Sequence, residues 1–198
     1  MNIVKDTTLY QQLRTALAQW VDLTEPQWHK LAPIFQVRTV QRQEHVLLPG
    51  ACVQDFLFVC DGLLRFYCLS DDGLESNMAF VAEDMFACPH STFSLNLPVI
   101  YGIQAIEPTT HLAAKYADFF ALFDQDPVFD RLGRKLSELS LTGKESRTRS
   151  LLQQQAKDRY LDFVRQYPGL IQRVSQYHIA SYLGITAVTL SRLRRTLI

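Results

Sequence analysis

The spacing of hydrophobic positions changes twice along the chain. Over residues 1–34, Leu9, Leu13, Leu17 and Trp20 recur at intervals of four, four and three, the repeat of a helix with one apolar face. The stretch Thr24-Glu-Pro-Gln-Trp-His opens a second helix. Threonine caps, proline is tolerated in the first turn, and Gln27 completes a box-like pattern. Trp28, Leu31 and Ile34 would face the body.

From Phe35 the period drops to two. Phe35, Val37 and Thr39 alternate with Gln36, Arg38 and Val40, and Glu44–Leu48 closes at the turn dipeptide Pro49-Gly50. Asp55–Cys60 and Leu63–Leu69 are β-rich runs separated by Asp61-Gly62, a strong two-residue hairpin signal, and Asp72-Gly73 separates the latter from Glu75–Val81 in the same way. Val99–Glu107 and His111–Tyr116 follow, with Pro108 between them. Short strands at this spacing predict a closed or double-sheet structure of the jelly-roll kind, large enough to enclose a small cavity. The segment from Phe86 to Val99, rich in Ser, Asn, Pro and Cys, interrupts the strands and is the expected ligand-binding place. Phe80, Cys88, His90, Ser91 and Tyr101 are the candidate pocket residues, with core packing the competing reading for the aromatics.

Helical spacing then returns. Asp118 is expected to cap a short helix, Phe119–Phe123, and Pro127 to open a longer one. Leu132, Leu136, Leu139, Gly143 and Ser146 recur there at four and three, a seam suited to a partner helix, so these residues are the candidate dimer interface; packing on the chain's own domain is the alternative. Lys144–Gln166 reads as continuing helix, and Tyr167-Pro168-Gly169 breaks the chain.

Two short helices end the sequence. Ser175 caps the first, whose Ile179, Ala180 and Leu183 form an apolar face; Gly184 ends it, Ile185 tucks between the helices, and Thr186 caps the second, where Leu190, Leu193 and Leu197 form the buried stripe. Ala187, Val188, Thr189, Ser191, Arg192, Arg194 and Arg195 are left near or on the other faces. Hydroxyls and arginines fix a phosphate backbone, and an arginine can read guanine with two hydrogen bonds. An ordinary helical hairpin with a solvated basic face is the bland alternative.

Charge sharpens this picture. The 198 residues are formally neutral. From Lys144 onward, however, 10 Lys+Arg stand against 3 Asp+Glu, giving +7, and residues 1–143 hold the other 10 against 17, giving −7. An acidic body with a basic C-terminal part predicts that only the latter meets a polyanion. The N-terminus lacks a secretory signal pattern and no apolar run approaches a membrane span, which predicts a cytoplasmic protein with no membrane partner. Cys52, Cys60, Cys68 and Cys88 lack zinc-knuckle or iron–sulfur spacing and read as small hydrophobes. His29, His45, His90, His111 and His178 are scattered, with no His-x-His pair for a cupin-type metal enzyme, so no metal site and no catalytic residue are expected.

A roll, a long helix with a seam and a terminal helix-turn-helix, in that order, resemble the Crp-Fnr family of bacterial transcription regulators over nearly the whole chain. The most specific parts are Phe58-Val-Cys-Asp-Gly-Leu-Leu-Arg-Phe-Tyr67 and Gln176–Arg195. The resemblance implies an α+β protein with N-terminal helices and a cyclic-nucleotide-binding-like roll over 1–126, a dimerisation helix over 127–152 and a DNA-binding domain over 153–198. It implies a homodimer on a near-palindromic duplex DNA site, acting on RNA polymerase under a small-molecule effector. Carried over by position, Thr186 and Thr189 match phosphate-contacting residues and Arg192 a base-reading arginine, with Gln176 and Arg195 beside them. The other two base-reading positions are Ala187 and Val188, which suit a thymine methyl and predict an A/T-containing half-site.

The sensor departs from the family. Where cyclic-nucleotide binders carry a Gly-Glu pair and an Arg-Ser or Arg-Thr clamp, this chain has Cys88-Pro89 and Val99-Ile100, and no arginine lies between Arg65 and Arg131. Cyclic AMP is therefore not expected to bind, nor is an iron–sulfur cluster, because the N-terminal cysteine cluster is lacking; the effector is open. The family's wing after the recognition helix has no counterpart up to Ile198, which predicts fewer backbone contacts. A regulatory module acting on a protein partner without DNA is the competing function.

Overall fold

The computed structural model describes residues 3–89 and 97–197, from an N-terminal helical pair through two sheets to a helical C-terminal third. Helices α1 (Ile3–Ala18) and α2 (Glu25–Leu31) form as their spacing predicts. The Gln27 side chain accepts the Thr24 N–H at 2.9 Å, which closes the box at the start of α2. Leu13, Leu17 and Leu31 are fully buried.

Among the described residues eight strands follow: β1 (Phe35–Val40), β2 (His45–Leu47), β3 (Asp55–Asp61), β4 (Leu64–Leu69), β5 (Glu75–Val81), β6 (Phe86–Ala87), β7 (Tyr101–Ala105) and β8 (Thr109–Lys115). They form two antiparallel four-stranded sheets, ordered β1-β8-β3-β6 and β2-β7-β4-β5. Asp72-Gly73 does turn a hairpin between β4 and β5, with Gly73 at φ +79°. Asp61-Gly62 does not. It carries the chain from one sheet to the other, because a register shift between Val59 and Asp61 kinks β3 as it leaves its ladder. Gly62 has φ +101°, and a Cβ there would meet the Pro108 carbonyl oxygen at 2.5 Å, so this corner needs glycine for both its twist and its clearance.

Alternation along β3 divides the core. Leu57 and Val59 point between the sheets with Leu64, Val81, Ile103 and Ala113. Phe56 and Phe58 point the other way, onto Leu13, Leu17 and the helices that follow the roll. Those are α3 (Tyr116–Phe120) and α4 (Pro127–Gln153). α3 begins earlier than its sequence suggests: Lys115 precedes it, and Asp118 lies in the first turn rather than capping. Tyr116 and Phe119 are buried there, so core packing, not the cap, sets where it starts. Asp126 caps α4 by accepting the Val128 N–H at 2.9 Å.

The long helix does not run on to residue 166. It ends at Gln153; Gln154 is extended, and α5 (Ala156–Gln166) starts afresh. The Gln154 side chain accepts from Ser150 Oγ at 2.6 Å and donates to Asp162 at 2.7 Å, giving the break polar partners on both sides. A short helix α6 (Leu170–Arg173) then precedes the terminal pair, α7 (Gln176–Leu183) and α8 (Ala187–Leu197).

Candidate nucleic-acid interface

The terminal pair is built as its sequence dictates. Ser175 Oγ accepts the His178 N–H at 3.3 Å at the start of α7. Gly184 ends α7 in the left-handed conformation at φ +66°. Thr186 Oγ1 accepts the Thr189 N–H at 3.1 Å and lies 2.9 Å from Thr189 Oγ1, so the two threonines cap α8 together. Ile179, Ala180, Leu183 and Leu190 are buried with Tyr160, Phe163, Leu170 and Val174 from the preceding helices. Leu193 is half-buried, and the Leu197 side chain lies outside the described residues.

This packing leaves one face of α8 open. Thr186, Ala187, Val188, Thr189, Ser191, Arg192 and Arg195 are all exposed, as is Gln176 at the start of α7. The eight residues expected to meet DNA are thus each accessible, and Arg194 is half-buried. A convex helix with hydroxyls at its N-terminal end and guanidinium groups further along matches what a major groove accepts.

Not all of the basic charge is available to a polyanion. The Arg147 guanidinium lies 4.0 Å from the Tyr182 ring centre. Arg159 donates to the Leu183 carbonyl at 2.8 Å and to that of Gln154 at 2.6 Å. Arg173 is held by Glu83 and Glu107 and donates to the Gly62 carbonyl at 3.2 Å, and the two carboxylates raise its pKa. Three of the ten cations counted from Lys144 onward are thus structural.

The clamp on Arg173 is one of the polar contacts that seat the helical third on the roll. Another centres on Arg65 of β4, which is 3% exposed. Its guanidinium donates to Gln104 at 2.9 Å, Asn77 at 3.0 Å and Glu75 at 2.5 Å. Asn77 in turn donates its backbone N–H to Ser181 Oγ at 2.9 Å and its amide to the His178 carbonyl at 3.1 Å, so β5 binds α7 directly. Beside this network Phe80 packs on Phe163 and Tyr182. No sequence motif announced these contacts; their one trace was an arginine and an asparagine within strands otherwise rich in apolar residues.

Phe80 is accordingly not a residue of a ligand pocket but part of this inter-element core. Tyr101 is buried against Phe66. Among the described pocket candidates Cys88 lines a cleft of about 690 Å³, with Phe56, Tyr116, Phe119, Leu136, Arg134 and Lys144 among its walls. Burial pushes the Cys88 thiol up to about 12, which favours its protonated form. His90 and Ser91 lie outside the described residues. Of the clamp positions, Val99 is buried and Ile100 is 79% exposed.

The seam of α4 divides. Leu132 and Leu136 are buried in the chain's own core, whereas Leu139, Gly143 and Ser146 are exposed. The stripe is continuous in sequence, but only Leu132 and Leu136 turn into the core, while Ser140, Leu141 and Lys144 further along the helix line the cleft. Leu132 and Leu136 are therefore corrected to core residues.

The chain thus runs from a roll through a long helix to a terminal helix pair. No family model and no curated protein matches the sequence. Solved structures do share its fold. FixK2 of Bradyrhizobium japonicum superposes with a TM-score of 0.74 at 20% identity, over 83% of this chain and 84% of that one. The c-di-GMP-responsive global regulator CLP of Xanthomonas campestris gives 0.66 at 16%, over 85% and 89%. The catabolite activator protein of Thermus thermophilus gives 0.57 at 21%, over 92% and 86%. The fold is thus that of the Crp-Fnr regulators, a cyclic-nucleotide-binding-like roll followed by a long helix and C-terminal helices. Among the described residues, no helix is long and apolar enough to cross a membrane, and no group of three His, Cys, Asp or Glu converges.

Proposed function

We propose that this chain is a DNA-binding transcription regulator of the Crp-Fnr type, reading duplex DNA through α8. The observation that carries the reading is the accessible face Thr186, Ala187, Val188, Thr189, Ser191 and Arg192, which the burial of Leu190 leaves turned away from the core. Thr186 and Thr189 contact phosphate, Arg192 reads a guanine edge, and the methyl groups of Ala187 and Val188 meet thymine. The exposed part of α4, with Leu139, Gly143 and Ser146, pairs with a second copy, so that two recognition helices meet a near-palindromic site one helical turn apart. Cyclic AMP is not the effector. Neither Cys88-Pro89 nor Val99-Ile100 supplies a charged donor for a cyclic phosphate, and the cations on the cleft, Arg134 and Lys144, belong to α4 rather than to the roll positions where the clamp would stand.

The test is selection from a pool of random duplex DNA at two salt concentrations, with Arg192→Ala alongside. An enriched A/T-containing inverted repeat is expected, with affinity falling steeply with salt. The variant should lose about 1–3 kcal/mol of discrimination at one base pair of each half-site. No enrichment, and weak binding unchanged by the variant, would make the helix pair a scaffold and direct the search to a protein partner.

A further inference from the structure

We propose that His178 makes the seating of the helix-turn-helix on the roll pH-sensitive: its neutral imidazole holds α7 against β5, and its protonated form releases it. The hydrogen-bond network assigns the proton. Arg65 can only donate, so the Asn77 oxygen is the atom it binds at 3.0 Å; the Asn77 nitrogen must then face the other way, where it donates to the His178 carbonyl at 3.1 Å. That same nitrogen stands 3.2 Å from His178 Nδ1, and Arg65 Nη1 stands 3.5 Å from it. Two donors converge on one ring nitrogen, which can serve them only as an acceptor, so the hydrogen is on Nε2.

Protonating Nδ1 would turn an N–H toward two other donors and place a second cation beside Arg65. From β4 the charged group facing the ring is Arg65, and from β5 it is Glu75, whose carboxylate is already bound to Arg65 at 2.5 Å. On α7 itself the neighbour is Tyr177, with ring centres 5.4 Å apart. Burial first and Arg65 second hold the imidazole below its ordinary 6.5, while Glu75 opposes them. The seated state therefore binds fewer protons than the released one. Seating is complete above the ordinary imidazole range and is lost as pH falls through the lowered value. What release does to DNA binding rests on the regulator reading above; the seating itself does not.

Hydrogen exchange tests it on the full chain, read at the Asn77 amide that donates to Ser181 Oγ. After correction for intrinsic rates, its protection is expected to fall between about pH 7.5 and about pH 5.5. The fall should follow titration of the released imidazole and reach at most about tenfold at pH 5.5, while β3 amides hold theirs. His178→Asn offers an acceptor near the Nδ1 position that does not titrate, and its Asn77 protection should be independent of pH. His178→Gln serves if that variant does not fold. Nitrogen NMR of the wild-type ring should show Nδ1 bare at about pH 7.5. Asn77 protection flat with pH in the wild type, an equal fall in the variants, or a proton on Nδ1 would each overturn the proposal. A chain that bound no DNA would still show the exchange pattern, so the two readings fail separately.

Discussion

The two helices of the terminal pair are built from similar material and put it to opposite use. α7 turns His178 and Ser181 toward the roll, where Asn77 meets both and Arg65 reaches the histidine ring. Among the described residues, α8 turns Thr189, Ser191 and Arg192 toward no partner beyond its own cap and the Thr196 back-bond. Polar groups buried with partners fix position, because leaving any one unpaired costs free energy. Polar groups exposed along a helix cost nothing to leave open, and they remain available to a ligand that brings its own partners. The pair thus has a holding helix and an open helix, and the difference lies in what packs on each.

Substitutions should separate the two in order of size. Phe80→Ala removes a 1%-exposed ring from between the roll and the helical third, and should cost about 3–5 kcal/mol in urea unfolding. Arg65→Met leaves Glu75, Asn77 and Gln104 without their shared donor. The half-exposed carboxylate can turn to water, so about 2 kcal/mol is expected, with lost protection at Asn77 as the local sign. Gly184→Ala forces a side chain into the left-handed region and within 3.3 Å of Leu151, costing about 1 kcal/mol in the same measurement. Ser191→Ala and Arg192→Ala should stay within about 0.5 kcal/mol in stability, since nothing in the chain depends on them. If Arg192→Ala proved as damaging as Arg65→Met, the distinction between the helices would collapse. Leu139→Asp, at a half-exposed position, should leave the fold intact and shift sedimentation from dimer to monomer.

How much of this could be read from the sequence differed by region for physical reasons. The α7–α8 pair was legible because its determinants are local: Ser175, Gly184 and Thr186 act within three or four residues of where they stand. The strands were legible from alternation, but the sheet they belong to was not. Asp61-Gly62 has the residues of a hairpin, and only the register shift at Val59 and the close approach of Pro108, 46 residues on, make it a corner between sheets. The seam of α4 shows the same limit: Leu132 and Leu139 look alike in sequence, and which one is buried in the chain's own core is decided by what packs over it. Arg65, Asn77, Arg173 and His178 were missed as a group because their partners come from strands and helices far apart in the chain.

The most direct measurement is amide chemical-shift mapping of the full chain on adding the selected duplex. The account predicts shifts and broadening at Thr186–Arg195 and Gln176, with Asn77 and Ser181 little changed. Perturbations confined to the roll and α7, with α8 silent, would contradict it.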